Sequence, residues 1–270
     1  MTPRPLLIRG GRIVDPSQTL DQVLDLLLVD GKVAALGENV DPAEGAREVD
    51  AGGLVVTPGL IDVHVHLREP GQEHKETIAT GARAAAAGGF TAICSMPNTD
   101  PPIDDPATVG FVVAAGRRAG AARVYPMGAI SEKMEGKSLA EIGEMVEAGA
   151  VAITDDGLPV MDSGLMRLAL EYTQAFDIPV VDHPEDLTLS RDGTMNEGLV
   201  SSRLGLRGKP NAAEDIHIIR DILLAELTGG RIHIQHVSTR GGVAAIREGK
   251  ARGVKVTGEA SPHHLLLTDE

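Results

Sequence analysis

His64-Val65-His66 sits inside the apolar segment Leu60–Leu67. On a strand, residues two apart share a face and lie about 6.6 Å apart along the backbone. Two imidazoles at that spacing can converge on one ion, with Zn–N bonds of about 2.0–2.1 Å. Asp62, His64 and His66 alternate with Val63, Val65 and Leu67, so the polar set shares one side. A lone His-x-His is equally well a pair of structural histidines. Three further segments carry ligand-type residues where an apolar run turns polar: Thr154-Asp155-Asp156-Gly157, Val180-Val181-Asp182-His183-Pro184 and Ile232-His233-Ile234-Gln235-His236-Val237-Ser238. Singly, each has an ordinary reading. Asp155 or Asp156 could cap a turn before Gly157, His183 could be a turn residue before Pro184, and His236 a rim histidine. Four such coincidences at four strand ends point to metal, and imidazole with carboxylate suits Zn²⁺. Strand parity does not choose between Asp155 and Asp156.

Arg68 lies two positions past His66 and is the cation nearest in sequence to that pair. A guanidinium fork matches a carboxylate in bidentate fashion; the competing reading is an ion pair with Glu69. His74 reads as a loop residue and His217 as a helix residue. His233 is an odd number of positions from His236, so the two should face oppositely on one strand. His263 and His264 follow the last strand and have no assigned role.

Elements must carry these groups. Residues 1–57 read as short strands with tight turns: Leu6-Leu7-Ile8 before Gly10-Gly11, an apolar run Val23–Val29, and a hairpin at Asp30-Gly31. From residue 58 the pattern changes. Apolar strands at Leu60–Leu67, Thr91–Ser95, Arg123–Met127, Val151–Thr154, Pro179–Asp182, Arg231–Gln235 and Val254–Gly258 alternate with helical stretches, including Lys75–Ala87, Ser163–Phe176 and Ala212–Leu227. That alternation predicts an α/β fold with a parallel sheet, organised as a (β/α)₈ TIM-type barrel with about seven strands present. Ligands at strand-to-loop transitions belong to its catalytic rim. The domains expected are 1–57, the N-terminal part of a small β-sandwich, and 58–270, the barrel. Thr268-Asp269-Glu270 resembles the start of a helix. A barrel takes about 250 residues, more than residues 58–270 supply, so the reading expects a chain stopping before an eighth strand.

The net charge of −14 disfavours nucleic acid and anionic membrane as partners, though bound metal would still admit an anionic substrate. One cysteine, Cys94, excludes an intrachain disulfide framework and fits a reducing cytoplasm. No segment approaches membrane-spanning length. With no Trp, three Phe and two Tyr, aliphatic residues must fill the core. Gly136-Lys137-Ser138 resembles the end of a phosphate loop, but its first glycine would fall at Ser131, so a turn is expected.

The chain resembles the type I dihydroorotases of the amidohydrolase superfamily. The resemblance rests on Asp62-Val63-His64-Val65-His66-Leu67-Arg68-Glu69-Pro70-Gly71, Met96-Pro97-Asn98-Thr99, Thr154-Asp155-Asp156-Gly157, His183-Pro184-Glu185-Asp186, His236-Val237-Ser238-Thr239 and Ser261-Pro262-His263-His264-Leu265. It implies a two-zinc site, with His64 and His66 on the first metal, Asp156 bridging, and His183 and His236 on the second. His66, Arg68 and Asn98 would meet the substrate, the last two gripping its carboxylate. Where many superfamily members bridge with a carboxylated lysine, Val151–Asp156 has no lysine, which implies the carboxylate bridge. His183-Pro184 departs from the commoner His-Cys or His-Ala. The reaction implied is reversible hydrolysis of L-dihydroorotate to N-carbamoyl-L-aspartate in pyrimidine biosynthesis. Its acid–base group would be an Asp on the eighth strand, beyond residue 270, so activity of these residues alone is doubtful on this reading. Other outcomes are a hydantoinase or allantoinase, or a non-catalytic partner of aspartate transcarbamoylase. Homo-oligomers are also expected.

Overall fold

In the computed structural model, which describes residues 4–269, the N-terminal strands form one five-stranded sheet. They are β1 (Leu6–Asp15), β2 (Leu20–Val29), β3 (Lys32–Gly37), β4 (Arg47–Asp50) and β5 (Val55–Val56). β1 pairs β2 and β2 pairs β3 antiparallel, whereas β4 and β5 lie parallel to β1. The expected hairpin turns at Asp30 and Gly31, both at positive φ (51° and 73°), the backbone that matches strand twist in a two-residue turn. The chain divides into two units after Leu60.

From β6 (Leu60–Val65) onward, strands and helices alternate: α1 (Ile78–Ala87), β7 (Phe90–Ser95), α2 (Pro106–Ala119), β8 (Arg123–Pro126), α3 (Ile142–Ala148), α4 (Ser163–Tyr172) and β9 (Val180–Asp182). An excursion follows, through α5 (Leu187–Ser190), β10 (Met195–Asn196), α6 (Leu199–Leu204) and β11 (Gly208–Lys209). Then come α7 (Ala212–Thr228), β12 (Ile232–Ile234), α8 (Arg240–Ala251), β13 (Val256–Gly258) and α9 (Pro262–Leu266).

One sheet runs β6-β7-β8 and another β9-β12-β13; β7 with β8, β9 with β12, and β12 with β13 are parallel. Ile153 bridges the two sheets, pairing parallel with Gly128 on one side and Val180 on the other. Residues 151–154 are hydrogen-bonded on both flanks, through Val151 N–H to Pro126 O and Val181 N–H to Ile153 O among others. All seven expected strand positions therefore occur in series, the fourth contracted to the one residue Ile153, bridged on both sides, because the chain turns at Asp155–Leu158.

Boundaries moved for local reasons. α1 begins at Ile78 rather than Lys75 because Thr77 and Thr80 form a reciprocal capping box. β6 ends at Val65, whose carbonyl accepts the Met96 N–H, since Arg68 turns the chain at φ 62°. Helices cover the sheet with aliphatic side chains, among them Ile78, Val112, Ile142, Leu170, Ile218 and Ile222 against Ile93, Ile153 and Ile232. A second cluster of Cys94, Met96, Met127, Ala152 and Val181 holds the opposite face of the strands. Burial on both faces is the usual state of parallel sheets. Gly136 takes φ 66° in a turn closed by pairing of Ser131 with Leu139. Among the described residues, no helix is long and apolar enough to cross a membrane.

Candidate metal centre

Four strand ends converge. His64 is carried by β6 and His66 stands just past its end; Asp156 follows the Ile153 position, His183 follows β9, and His236 lies two residues beyond β12. Asp156 is 3% exposed and sits at the middle. Its Oδ1 lies 3.4 Å from His64 Nε2, 3.7 Å from His183 Nδ1 and 3.9 Å from His236 Nε2, while Oδ2 lies 3.4 Å from His66 Nε2. Asp155 turns the other way. It accepts from the backbone N–H groups of Ile130 (2.8 Å) and Ser131 (3.1 Å) and from the Ser131 hydroxyl. The choice that strand parity left open is thus made by which carboxylate faces the imidazoles.

The outer ring nitrogens are held as well. His64 Nδ1 donates to Glu259 at 2.6 Å, His66 Nδ1 to Asn98 Oδ1 at 2.9 Å, and His183 Nε2 faces Glu185 at 3.3 Å. A hydrogen bond on one ring nitrogen fixes the tautomer and turns the other lone pair inward, as behind metal-ligating histidines. Lys209 Nζ donates to Glu185 at 2.6 Å. Asn98 also donates through Nδ2 to Asp156 at 3.3 Å, so its amide joins His66 to the central carboxylate.

The donor set fits a metal on this geometry. His64, His66 and Asp156 form one triad of ligand atoms within 4.8 Å of one another, and Asp156, His183 and His236 form a second. Spacings of 3.4 Å match the roughly 3.3 Å between ligands on a tetrahedral ion with bonds near 2.0–2.1 Å. His183 Nδ1 and His236 Nε2 stand 2.9 Å apart. Arg68 and His236 are both non-glycine residues at positive φ, 62° and 31°, conformations that concentrate at functional sites.

The electrostatics describe a carboxylate waiting for positive charge. Burial opposes ionisation of Asp156, but hydrogen bonds to His183 and His64 hold its pKa well below the usual range. Burial would lower His64, yet Asp156 and Glu259 outweigh it and push it up to about 9. Glu259, despite burial, falls to about 2 beside His233 and His64. His236 drops to about 4 through burial, with His183 and His64 adding to the effect.

Arg68 is half-buried and has no ion pair among the described residues; the expected alternative partner, Glu69, instead accepts the Ile78 N–H at 2.7 Å. A cavity of about 940 Å³ opens over the histidines, lined also by Asn196, Lys209, Asn211 and His263. One expectation changes. His233 does not face away from His236: both meet Glu259, through His233 Nε2 and the His236 N–H, each at 3.3 Å. β12 stops at Ile234 and His236 takes a left-handed φ, so strand parity does not extend that far. Glu259 itself was missed. The available signal was a lone carboxylate directly after the seventh apolar run, the logic that found Asp156 and His183.

The profile of the family described as dihydro-orotase-like matches residues 53–242. A dihydroorotase of Anaeromyxobacter sp. (strain K) is 57% identical over 265 residues, covering 98% of this chain and 61% of that protein. One from Geobacter sulfurreducens is 54% identical, covering 98% of this chain and 62% of its own length. The chain therefore spans about three-fifths of the length of these relatives. Among solved structures, an L-hydantoinase (dihydropyrimidinase) from Arthrobacter aurescens superposes with a TM-score of 0.79 at 26% identity, covering 97% of this chain and 59% of that one. A dihydropyrimidinase from Brevibacillus agri, at 24% identity and TM-score 0.74 over 98% of this chain and 59% of that one, shares the fold. With strand-end histidines around a central aspartate and a family match over most of its residues, this chain belongs to the dihydroorotase-like family.

Proposed function

We propose that the protein is a zinc-dependent dihydroorotase, interconverting L-dihydroorotate and N-carbamoyl-L-aspartate in pyrimidine biosynthesis. The observation that carries the reading is the pair of triads sharing Asp156, with Arg68, unpaired among the described residues, close enough to act on His66 by its charge. The seven strand positions belong, on this reading, to a (β/α)₈ barrel. His64, His66 and Asp156 would hold one zinc ion, and Asp156, His183 and His236 would hold a second. When bound, zinc supplies a lowered pKa for water, from 15.7 to about 7, and Lewis-acid polarisation of the amide carbonyl.

The chain's own residues do the rest. Arg68 receives the substrate carboxylate, the bidentate partner its guanidinium prefers. Asn98 stands between His66 and Asp156, where its amide can turn toward the same carboxylate. Glu259 keeps the His64 proton on Nδ1 and so leaves Nε2 free for the metal. The departing amide nitrogen needs a proton donor. Glu259 and Glu185 are committed to histidines; the acid that the resemblance implies is an Asp on an eighth strand. Homo-oligomers and association with aspartate transcarbamoylase rest on that resemblance, and a cytoplasmic location on the lone Cys94.

A hydantoinase would share the metal cluster but has no need of a cation for a substrate carboxylate. The test is Arg68→Ala in the full-length protein with dihydroorotate as substrate. We expect kcat/KM to fall by about 100-fold or more, the loss of a bidentate charged contact with its buried partner unpaired. Turnover within a few-fold of wild type would remove the substrate assignment and leave the metal site standing.

A further inference from the structure

Helix α7 reaches both of the loops that carry His183 and His236. At its N-terminal end Glu214 clamps the turn directly after His236. One carboxylate oxygen accepts the Ser238 N–H (2.9 Å), the Thr239 N–H (3.0 Å) and the Thr239 hydroxyl (2.9 Å), and the other accepts the Ser238 hydroxyl. Asp215 accepts the same Thr239 hydroxyl at 2.6 Å. On the other side, the Asp186 N–H, three residues after His183, donates to Ala213 O at 2.8 Å. One turn further along, the buried face of α7 carries His217, Arg220 and Asp221 against Asp182, the residue before His183. Asp182 and Asp221 are 1% and 0% exposed. Arg220 lies 2.8 Å from Asp221 and 3.8 Å from Asp182, and His217 Nδ1 is also 3.8 Å from Asp182.

Helix α7 packs closely on α8. At Gly241, in the first turn of α8, an added Cβ would stand 2.3 Å from Asp215 Oδ2, and at Gly242 2.5 Å from Ile218 Cδ1. A buried charged network costs desolvation and is weak evidence for stability; fixing one arrangement is its better-attested use. His236 needs that fixing, since it sits at φ 31°.

We infer that α7 is the positioning element of one half of the metal cluster, with Glu214 setting His236 and the Arg220–Asp221 pair setting His183. The imidazoles of His64 and His66 are held from outside α7, by Glu259, which also accepts the His236 N–H, and by Asn98. The inference rests on the two-metal reading above. It predicts that damage to α7 uncouples the two metal positions, an outcome that general destabilisation does not produce.

The experiment titrates the metal-free full-length protein with Co²⁺ and follows ligand-field absorption and bound metal per chain. Wild type should take two equivalents. Glu214→Gln and Asp221→Asn should each keep one at wild-type affinity and bind the other roughly 10–100-fold more weakly, the usual cost of losing a group behind a ligand. Ile222→Val, in the same buried face, should lower the Tm while keeping both equivalents. Ser238→Ala, which removes one hydroxyl contact to Glu214, gives a milder version if Glu214→Gln does not fold. Two tight equivalents in Glu214→Gln, or in Ser238→Ala where it stands in, and in Asp221→Asn would overturn the inference alone. So would parallel loss of both equivalents across all variants in proportion to Tm. A wild-type protein that binds no Co²⁺ would overturn the two-metal reading and this inference with it.

Discussion

Glu259 accepts from His64 at 2.6 Å and from His233 at 3.3 Å, so one carboxylate orients an inward-facing imidazole and is itself braced. Replacing Glu259 with Gln keeps the shape but makes a weaker, neutral acceptor. Zinc affinity should fall roughly 10–100-fold with the fold intact, which a competition titration against a chromophoric chelator measures. The same site carries a pH signature. In the metal-free protein burial would lower His64, yet Asp156 and Glu259 raise it to about 9, from 6.5 in the unfolded chain. The protonated ring therefore stabilises the fold fully below about pH 6.5, and this contribution disappears as pH rises through about 9. His236, lowered to about 4, changes its contribution only below that window. Metal requires the neutral ring. Between pH 6.5 and 9, then, the Tm in EDTA should fall while apparent zinc affinity climbs. Calorimetry and zinc titration at the two ends check both signs, and a Tm that rises with pH would contradict the assignment of charge to His64.

Helices here are set by short signals that a reader of sequence can find. Asp105 caps α2 by accepting from Ala107 and Thr108 N–H groups at 2.7 and 2.9 Å, Pro106 opens the helix, and Gly120 closes it at φ 63°. Asp105→Ala should cost about 1 kcal/mol, within the 0.5–2 measured for such caps, and urea unfolding at constant slope would read it. Most strand positions were equally legible, because Ile93, Ile153, Val180 and Ile232 lie in runs whose burial on both faces leaves few polar interruptions. His64, His66, Asp156, His183 and His236 could be found because ligand-type residues at the ends of such runs stand out. What escaped was pairing across distance. Glu259 meets His64 over a separation of 195 residues, and no spacing rule links them. The inner face of α7 was hidden for a related reason: nothing in the spacing of Arg220 and Asp221 names Asp182 as the residue they meet. His233 was misplaced by carrying strand parity two residues beyond the strand.

Across the molecule, the proposed metal ligands come from the ends of β6, the Ile153 position, β9 and β12, so metal binding would report on the second unit as a whole. Ligand that binds only the folded state stabilises by about 4.1 kcal/mol at 1,000 times its dissociation constant. Saturating zinc should accordingly raise the Tm by several degrees over the EDTA-treated protein, and Asp156→Asn, which removes the shared charge, should abolish most of that shift. Scanning calorimetry with and without zinc decides it; an equal shift in Asp156→Asn would place the metal elsewhere. The long separation between His64 and Glu259 also has a consequence in time. A ribosome adding roughly 5–20 residues per second takes on the order of ten to forty seconds to cross that interval. During synthesis His64 exists through that interval without the carboxylate that orients it, whereas the partner of His66, Asn98, follows within 32 residues. A stray ion arriving late in that interval would meet all five ligands with His64 still unbraced, so the order of synthesis puts the ligands before the group that steadies one of them.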